Sequence, residues 1–449
     1  MTKKQYSMVS ANIKIIEDLK YFLDSVSTDA AIRKLVIQAD GDLSRNRKLP
    51  LSKLVGLIIN MPKRSLSIEI QNFFECLEQE TSVTKGAFSL QRTKLKASFF
   101  EVWNKWLVES FYHHYGEKVK RWRNFRVQAV DGSTAYLMNR KEVIEHFGTQ
   151  DNQYVSIPMA RVMQVQDVLN DITVWGSIRS IKESEQAIMA NQVRYLFEDS
   201  LTLFDRGYPS YALMYLMLNE ETPRHFVMRC KAVFNTEVKQ FVRSRKSSQI
   251  IELTPSPAAM ATLLEHGHKV TAKTTIKVRM AKIKLPTGEV EILLTNLYNE
   301  QLFTLQDLKY LYGLRWGIET TYNKQKNQQQ MEQFSGHRVI CIQQDYAAGL
   351  FVANLQSLIE KQCAAHLHKI NAKRQLQYRI NRNVSWAAMK HTIVKLFLQN
   401  EPEQILLQLQ KDFERNLEPV RPGRQNPRVA KSRRLYGKYQ TFTNYKRAI

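Results

Sequence analysis

The sequence predicts an α/β protein: a mixed-sheet core, interrupted by a strand-rich insertion and preceded by a helical region. Three observations carry this. Residues 1 to 115 repeat apolar side chains at helical spacing, as at Ile13, Ile15, Ile16, Leu19, Phe22 and Leu23. From residue 116 the texture changes to short apolar runs such as FRVQAVDGS, YVSIPMARVMQVQ, ITVWGSI and LTLFDRGY, punctuated by Asp and Gly. Further on, Thr274, Ile276, Val278 and Met280 alternate with Thr275, Lys277 and Arg279, a period of two with one apolar and one basic face.

Composition narrows the function. The chain has 449 residues, 43% of them hydrophobic, enough to build more than one core. Lys and Arg number 66 against 42 acids, a formal charge of +24. A field of that sign favours a polyanionic partner. Anionic membrane is the competing partner, but no apolar run approaches a membrane span and no signal or lipidation pattern is present. Nucleic acid leads, and no membrane role is expected. Cys76, Cys230, Cys341 and Cys363 have no metal-ligand spacing and form no dense framework, so a reduced, cytoplasmic setting is expected. His366 and His368 near Cys363 lack a fourth ligand for zinc.

In order, residues 1–115 read as a helical DNA-binding region. Ser82 or Thr84 is placed to start one helix and Ser89 another, with Lys85, Arg92, Lys94 and Lys96 beside them. This reads as a helix-turn-helix, a pattern that small helical bundles share. KVKRWRNFR then offers Lys120, Arg121 and Arg123. Residues 116–208 form the first part of the core: three strands, a helix over IKESEQAIMANQVRYLFEDS, and a short strand ending at Asp205 to Gly207. Residues 209–290 are the strand-rich insertion, with Lys277 and Arg279 on its basic face and a turn at Pro286 to Gly288. Residues 291–370 return to the core through EILLTNL, followed by one long helix over 305–334 and another over 340–368. Residues 371–449 are a C-terminal helical region and a tail for DNA contact or dimerisation; Arg421 to Ile449 holds nine basic residues, among them Arg433 and Arg434, and no acid.

The chemistry centres on YGLRWGIETTYNKQK. Tyr312, Arg315, Glu319 and Lys326 fall on one face of a helix, beside an apolar stripe of Leu311, Leu314, Ile318 and Tyr322. An exposed ion-pair face would look the same from this helix alone. Asp131 and Asp205 add weight, because each is predicted at the C-terminal end of a strand, where active sites gather in open α/β sheets. Three carboxylates meeting there would repel one another without a cation. A hard divalent ion, Mg2+ or Mn2+ in its place, wants oxygen ligands, and two such ions can hold a scissile phosphate. No His or Cys accompanies the acids, so zinc is disfavoured. Arg315 has the planar fork for phosphate, Lys326 a mobile charge, Tyr312 a hydroxyl or a ring; Arg206 adds a charge beside Asp205.

At these residues the sequence resembles the DDE transposases of the bacterial insertion-sequence-four family, whose signature is Tyr, two residues, Arg, three residues, Glu, six residues, Lys. Tyr312, Arg315, Glu319 and Lys326 stand at those intervals; AVDGS matches the strand of the first family Asp, at Asp131, and DRGY the second, at Asp205. Asn296, Gly336 and the segment QQDYAAGLFVANL also resemble the family, and the likeness covers residues 80 to 449. It implies an RNase H-like core and a cut-and-paste DNA transposase, with Asp131, Asp205 and Glu319 as ligands of two Mg2+ ions. Its partners would be double-stranded DNA with terminal inverted repeats, target DNA, and a second copy of the chain in a synaptic homodimer; it would be nucleoid-associated when bound. The implied chemistry is strand cleavage, hairpin formation at the ends, and strand transfer by 3′-hydroxyls. One departure touches the hairpin step: relatives use an insertion Trp there, and this chain has none between Asp205 and Trp316. Tyr211, Tyr215, Phe226, Phe234, Phe241 and Tyr298 are the substitutes on offer. The alternatives are an RNase H-like DNA nuclease that cuts without joining, a DNA-binding transposase descendant that has lost activity, and a basic RNA-binding protein, which leaves the acids unexplained.

Overall fold

The computed structural model describes residues 3–44, 48–80, 83–151, 155–284 and 288–421, with side chains from residue 8 onward. Arg433, Arg434, Ser82, Pro286 and Thr287 lie outside the described residues.

Among the described residues nine strands form one sheet: β1 (Arg126–Tyr136), β2 (Thr149–Asp151), β3 (Ser156–Asp167), β4 (Ile172–Ser180), β5 (Ser200–Phe204), β6 (His225–Cys230), β7 (Ser248–Leu253), β8 (Ile276–Lys284) and β9 (Val290–Thr295). β1, β3 and β4 are an antiparallel meander; β5 then joins β1 in parallel, and β6 joins β5 in parallel. This is the mixed α/β arrangement expected of an RNase H-like core. The insertion does not build a sheet of its own. β9 pairs with β6, β8 with β9 and β7 with β8, so the core sheet runs on into the insertion without a gap.

The period-two pattern sorts side chains to two apolar layers. Val127, Ala129, Leu201 and Leu203 face one layer, against helices Leu305–Leu314 and Trp316–Asn327. Val130, Phe204, Phe226 and Met228 face the other, against helices Glu185–Ala190 and Tyr211–Leu218. A third cluster joins the helices of the first 119 residues to helix Val339–Gln362 and to Met389, Leu406 and Phe413 near the C-terminus. Trp103 of helix Ser98–Tyr115 stacks on Phe351 at 4.0 Å between ring centroids, and its indole N–H donates to Leu19 O at 3.0 Å. The N-terminal helices thus share their core with the C-terminal half of the chain and have no separate interior.

Several local expectations change. Thr84, one of the two starts expected for it, is the N-cap of helix Lys85–Arg92, accepting from Ala87 N; Ser89 starts no further helix but lies inside this one, and the next begins at Ser98. The long helix over 305–334 is two helices, Leu305–Leu314 and Trp316–Asn327, with Arg315 between them in helical backbone geometry. Residues 340–368 likewise divide into Val339–Gln362 and Ala364–Asn371. The four cysteines are free thiols. No described helix is long and apolar enough to cross a membrane.

Candidate active site

Asp131 does not end its strand, as the Asp-Gly pair suggested. β1 continues to Tyr136, and Asp131 pairs with Gln164 of β3. What ends there is the parallel neighbour: the last register pair of β1 and β5 is Val130 with Phe204. The next residues are Asp131, still within β1, and Asp205, just past the end of β5. Alternation gives them the face of Ala129 and Leu203, the face that carries Tyr312, Ile318 and Tyr322. A capping box of Thr304 and Asp307 starts the first of the two covering helices, so its C-terminal turn delivers Tyr312 and Arg315 to the acids.

The contacts follow from that placement. Tyr312 Oη donates to Asp205 Oδ1 at 3.1 Å, and Tyr322 Oη to the main-chain oxygen of Asp131 at 2.9 Å. Arg315 Nη2 donates to Glu319 Oε1 at 2.7 Å. Lys326 Nζ donates to Thr134 O at 2.7 Å and lies 4.0 Å from Glu332. The signature segment is thus tied to the turn after β5 through Tyr312 and to β1 through Tyr322 and Lys326.

Burial dominates the electrostatics. It pushes the Asp131 carboxyl up to about 6; Arg315 and the Gly132 N–H pull it back, and Glu185 and Glu319 push the same way as burial. Burial and the neighbouring Asp205 raise the Tyr312 phenol to about 12, with Arg315 and Arg229 opposing. Arg315 is 2% exposed. Burial lowers its pKa, but Tyr312, Glu319 and Asp205 outweigh that and hold it charged. Its Nε and Nη1 are buried without a hydrogen-bond partner among the described residues. Burial lowers the Lys326 ammonium, and Glu332 opposes it.

The donor chemistry fits a hard divalent cation: carboxylates only, all half-buried, one of them with its pKa raised by the loss of water around it. The arrangement is not a closed cage. Among the described residues no three His, Cys, Asp or Glu groups are set to hold a metal ion together; Glu319 is turned to Arg315 and Asp205 to Tyr312.

The expected DNA-contact residues divide sharply. Lys85, Lys120, Arg121, Arg123, Arg206 and Lys277 are exposed, and Lys94 and Lys96 are half-buried. Arg92 is 1% exposed and lies inside the protein, bonded to Gln344 Oε1 at 2.5 Å, Cys341 O at 3.0 Å and Asp345 Oδ1 at 2.6 Å. Arg279 is also buried; its guanidinium caps Leu297 O at 3.0 Å and Phe303 O at 2.7 Å. The expected basic face of β8 is therefore not continuous, since strand alternation does not reveal which long side chains turn inward to satisfy carbonyls. Arg121 and Arg123 are exposed but paired, with Asp199 at 2.5 Å and Asp307 at 3.0 Å.

Three residues near the acids were not singled out from sequence. Arg229 of β6 reaches Asp205 at 3.9 Å and Glu291 at 2.7 Å. Glu185 lies beside Gly132. Trp316 is 55% exposed next to Arg315, whose guanidinium lies 5.5 Å from the Trp316 ring centroid. Only Trp316 had a sequence signal, its place inside the signature; Arg229 and Glu185 depend on strand order.

No family model matches this chain. It is 22% identical over 300 residues to the transposase InsG for insertion sequence element IS4 of Escherichia coli strain K12; the match covers 64% of each chain, so this chain spans just under two thirds of that relative's length. A cryo-EM structure of the piggyBac transposase synaptic complex with hairpin DNA aligns over 90% of this chain and 78% of its own, at 12% identity and a TM-score of 0.39, too low to define a shared fold.

Proposed function

We propose that the chain is a DNA transposase of the DDE kind, cutting at inverted-repeat ends and joining the freed 3′-hydroxyls to target DNA as a synaptic homodimer in the cytoplasm. The observation that carries this reading is the buried Arg315, with two unpartnered guanidinium nitrogens, set among Asp131, Asp205 and Glu319. A buried cation with spare donors calls for an anion, and phosphate matches its planar fork. Similarity to an insertion-sequence transposase and the +24 charge support the same reading.

Asp131, Asp205 and Glu319 would hold Mg2+, or Mn2+ in its place, as two ions. When bound, they supply Lewis acidity at the scissile phosphate and lower the pKa of the attacking water or hydroxyl. The chain's own residues do the rest. A phosphate oxygen that takes the free N–H groups of Arg315 competes with its bond to Glu319, so strand binding releases that carboxylate toward the other two. Tyr312 orients Asp205 through its hydroxyl, and Tyr322 holds the Asp131 backbone in place. Lys326, anchored on Thr134, lies along the same helix to meet the next phosphate. Exposed Lys85, Lys120, Arg206 and Lys277 add sequence-independent attraction.

Pre-cut duplex ends incubated with the chain, Mn2+ and plasmid target test this reading. Joined products support the transposase. Cleavage of uncut ends without joining favours an RNase H-like nuclease, and binding without either favours a retired DNA-binding descendant.

A further inference from the structure

Gly132 follows Asp131 in β1, and no unusual backbone angle explains it. Space does. A Cβ built there would lie 2.3 Å from the Glu185 carboxyl carbon and 2.3 Å from its Oε1. Glu185 opens helix Glu185–Ala190, which Ser184 caps by accepting from Ala187 N. Ile188 and Met189 fix that helix on the sheet layer shared by Val130 and Met163. By alternation Gly132 presents its missing side chain to this layer, whereas Asp131 faces the opposite one. Glu185 therefore backs the strand from behind the acids. Arg161 of β3 holds it, Nη1 to Oε1 at 2.7 Å, and donates Nη2 to Ile181 O at 3.2 Å. Buried Tyr208, three residues after Asp205, lies against the same carboxylate. The next residue of the helix completes the tie: Gln186 Nε2 donates to Gly207 O at 2.7 Å.

We propose that Glu185 is a positioning residue: its carboxylate, seated on Gly132 and held by Arg161, sets the distance between the strand carrying Asp131 and the Asp205–Tyr208 turn. It touches neither substrate nor reacting atoms and acts through the two acids. The inference rests on the reading of Asp131 and Asp205 as cation ligands, and deepens it. A ligand pair on two strands whose pairing has just ended has nothing in the sheet ladder to hold it together. A bracket across the back of both supplies that.

The test uses the full chain and Mn2+ as probe. Wild type, Glu185→Ala, Glu185→Gln, Gly132→Ala and the double variant Gly132→Ala/Glu185→Ala are compared by Mn2+ titration followed by electron paramagnetic resonance, by hydrogen exchange over residues 131–136 and 205–210, and by thermal melting. Glu185→Ala should weaken Mn2+ binding about tenfold, the loss typical of a residue that supports a ligand without being one. Exchange in both segments should quicken together. Glu185→Gln, which still offers Arg161 an acceptor, should recover most of the affinity. Gly132→Ala, whose Cβ displaces the carboxylate from its seat, should weaken Mn2+ binding as Glu185→Ala does, and the double variant should be no worse than Glu185→Ala alone, since the carboxylate that the Cβ strikes is then gone. Losses that multiply in the double variant, or exchange that quickens in one segment only, overturn the proposal. If the wild type binds no Mn2+, the cation reading fails by itself; unchanged exchange in Glu185→Ala then overturns the bracket, and paired quickening upholds it.

Discussion

Asp131 and Asp205 are the first residues past the last register pair, Val130 with Phe204, of two adjacent parallel strands. Two carboxylates are thereby placed side by side, on one face, at the point where the ladder stops consuming backbone groups. Each Asp alone is an ordinary strand or turn residue. Their meeting is a consequence of strand order, with β5 returning parallel to β1 after the β3–β4 meander.

The first prediction concerns the acids. Asp131→Ala, Asp205→Ala and Glu319→Ala should each lower DNA cleavage by at least about a hundredfold, as when an electrostatic stabiliser of the transition state is removed. Gel-shift affinity for the same duplex should hold, because exposed basic residues supply the attraction. Cleavage near wild-type rates in any of the three removes that residue from the site.

A second follows from the raised Asp131 carboxyl. Its pKa in the fold is about 6 against an ordinary value of 3.8, so the fold favours the protonated form. Stability from this group is present below the ordinary value and is lost as pH rises toward 6; above that, the buried charge is a net cost. Without divalent cations, Asp131→Asn should melt higher than wild type at pH 8, and the gap should close by pH 4. Mn2+ affinity of the wild type should fall as pH drops below about 6, since the ion must displace a proton. A melting difference that does not change with pH would contradict the burial argument.

The third separates structural from surface arginines and lysines. Arg92→Ala leaves Asp345 buried beside Gln344 and should cost about 3–5 kcal/mol of stability. Lys85→Ala, at an exposed helix end, should leave melting unchanged and lower the salt dependence of DNA binding by about one unit of slope. Denaturant titration and salt-dependent gel shifts read the two effects. A DNA-binding loss in Arg92→Ala with no stability loss would reverse this assignment.

The fourth concerns the aromatic missing from the insertion. Tyr298, one of the substitutes expected there, is 39% exposed, with its hydroxyl tied to Lys277 O at 2.6 Å. Trp316 is more exposed and adjoins Arg315, so it is the better platform for an unstacked base. Stacking of that kind contributes about 1–3 kcal/mol per base. Trp316→Ala should nick normally and accumulate few hairpins in a denaturing-gel time course. A nick-to-hairpin ratio equal to wild type would place the platform elsewhere or remove the hairpin route.

The sequence by itself determined the α/β class, the run of core strands, a helix start at Ser82 or Thr84 and the spacing of Tyr312, Arg315, Glu319 and Lys326. These are local: period two, period 3.6 and turn chemistry are written in neighbouring residues. It did not determine that β1 runs through Asp131, since Asp-Gly stops a strand in isolation and β3 carries this one onward. Nor did it separate Arg92 and Arg279 from Lys85 and Lys277, because a basic side chain reads the same whether it meets solvent or a buried carbonyl. The meeting of Asp131, Asp205 and Arg315, and the bracket of Glu185 behind Gly132, join residues from 53 to 184 positions apart. Contacts at such separations are set by strand order and sheet face, and only the tertiary structure decided those.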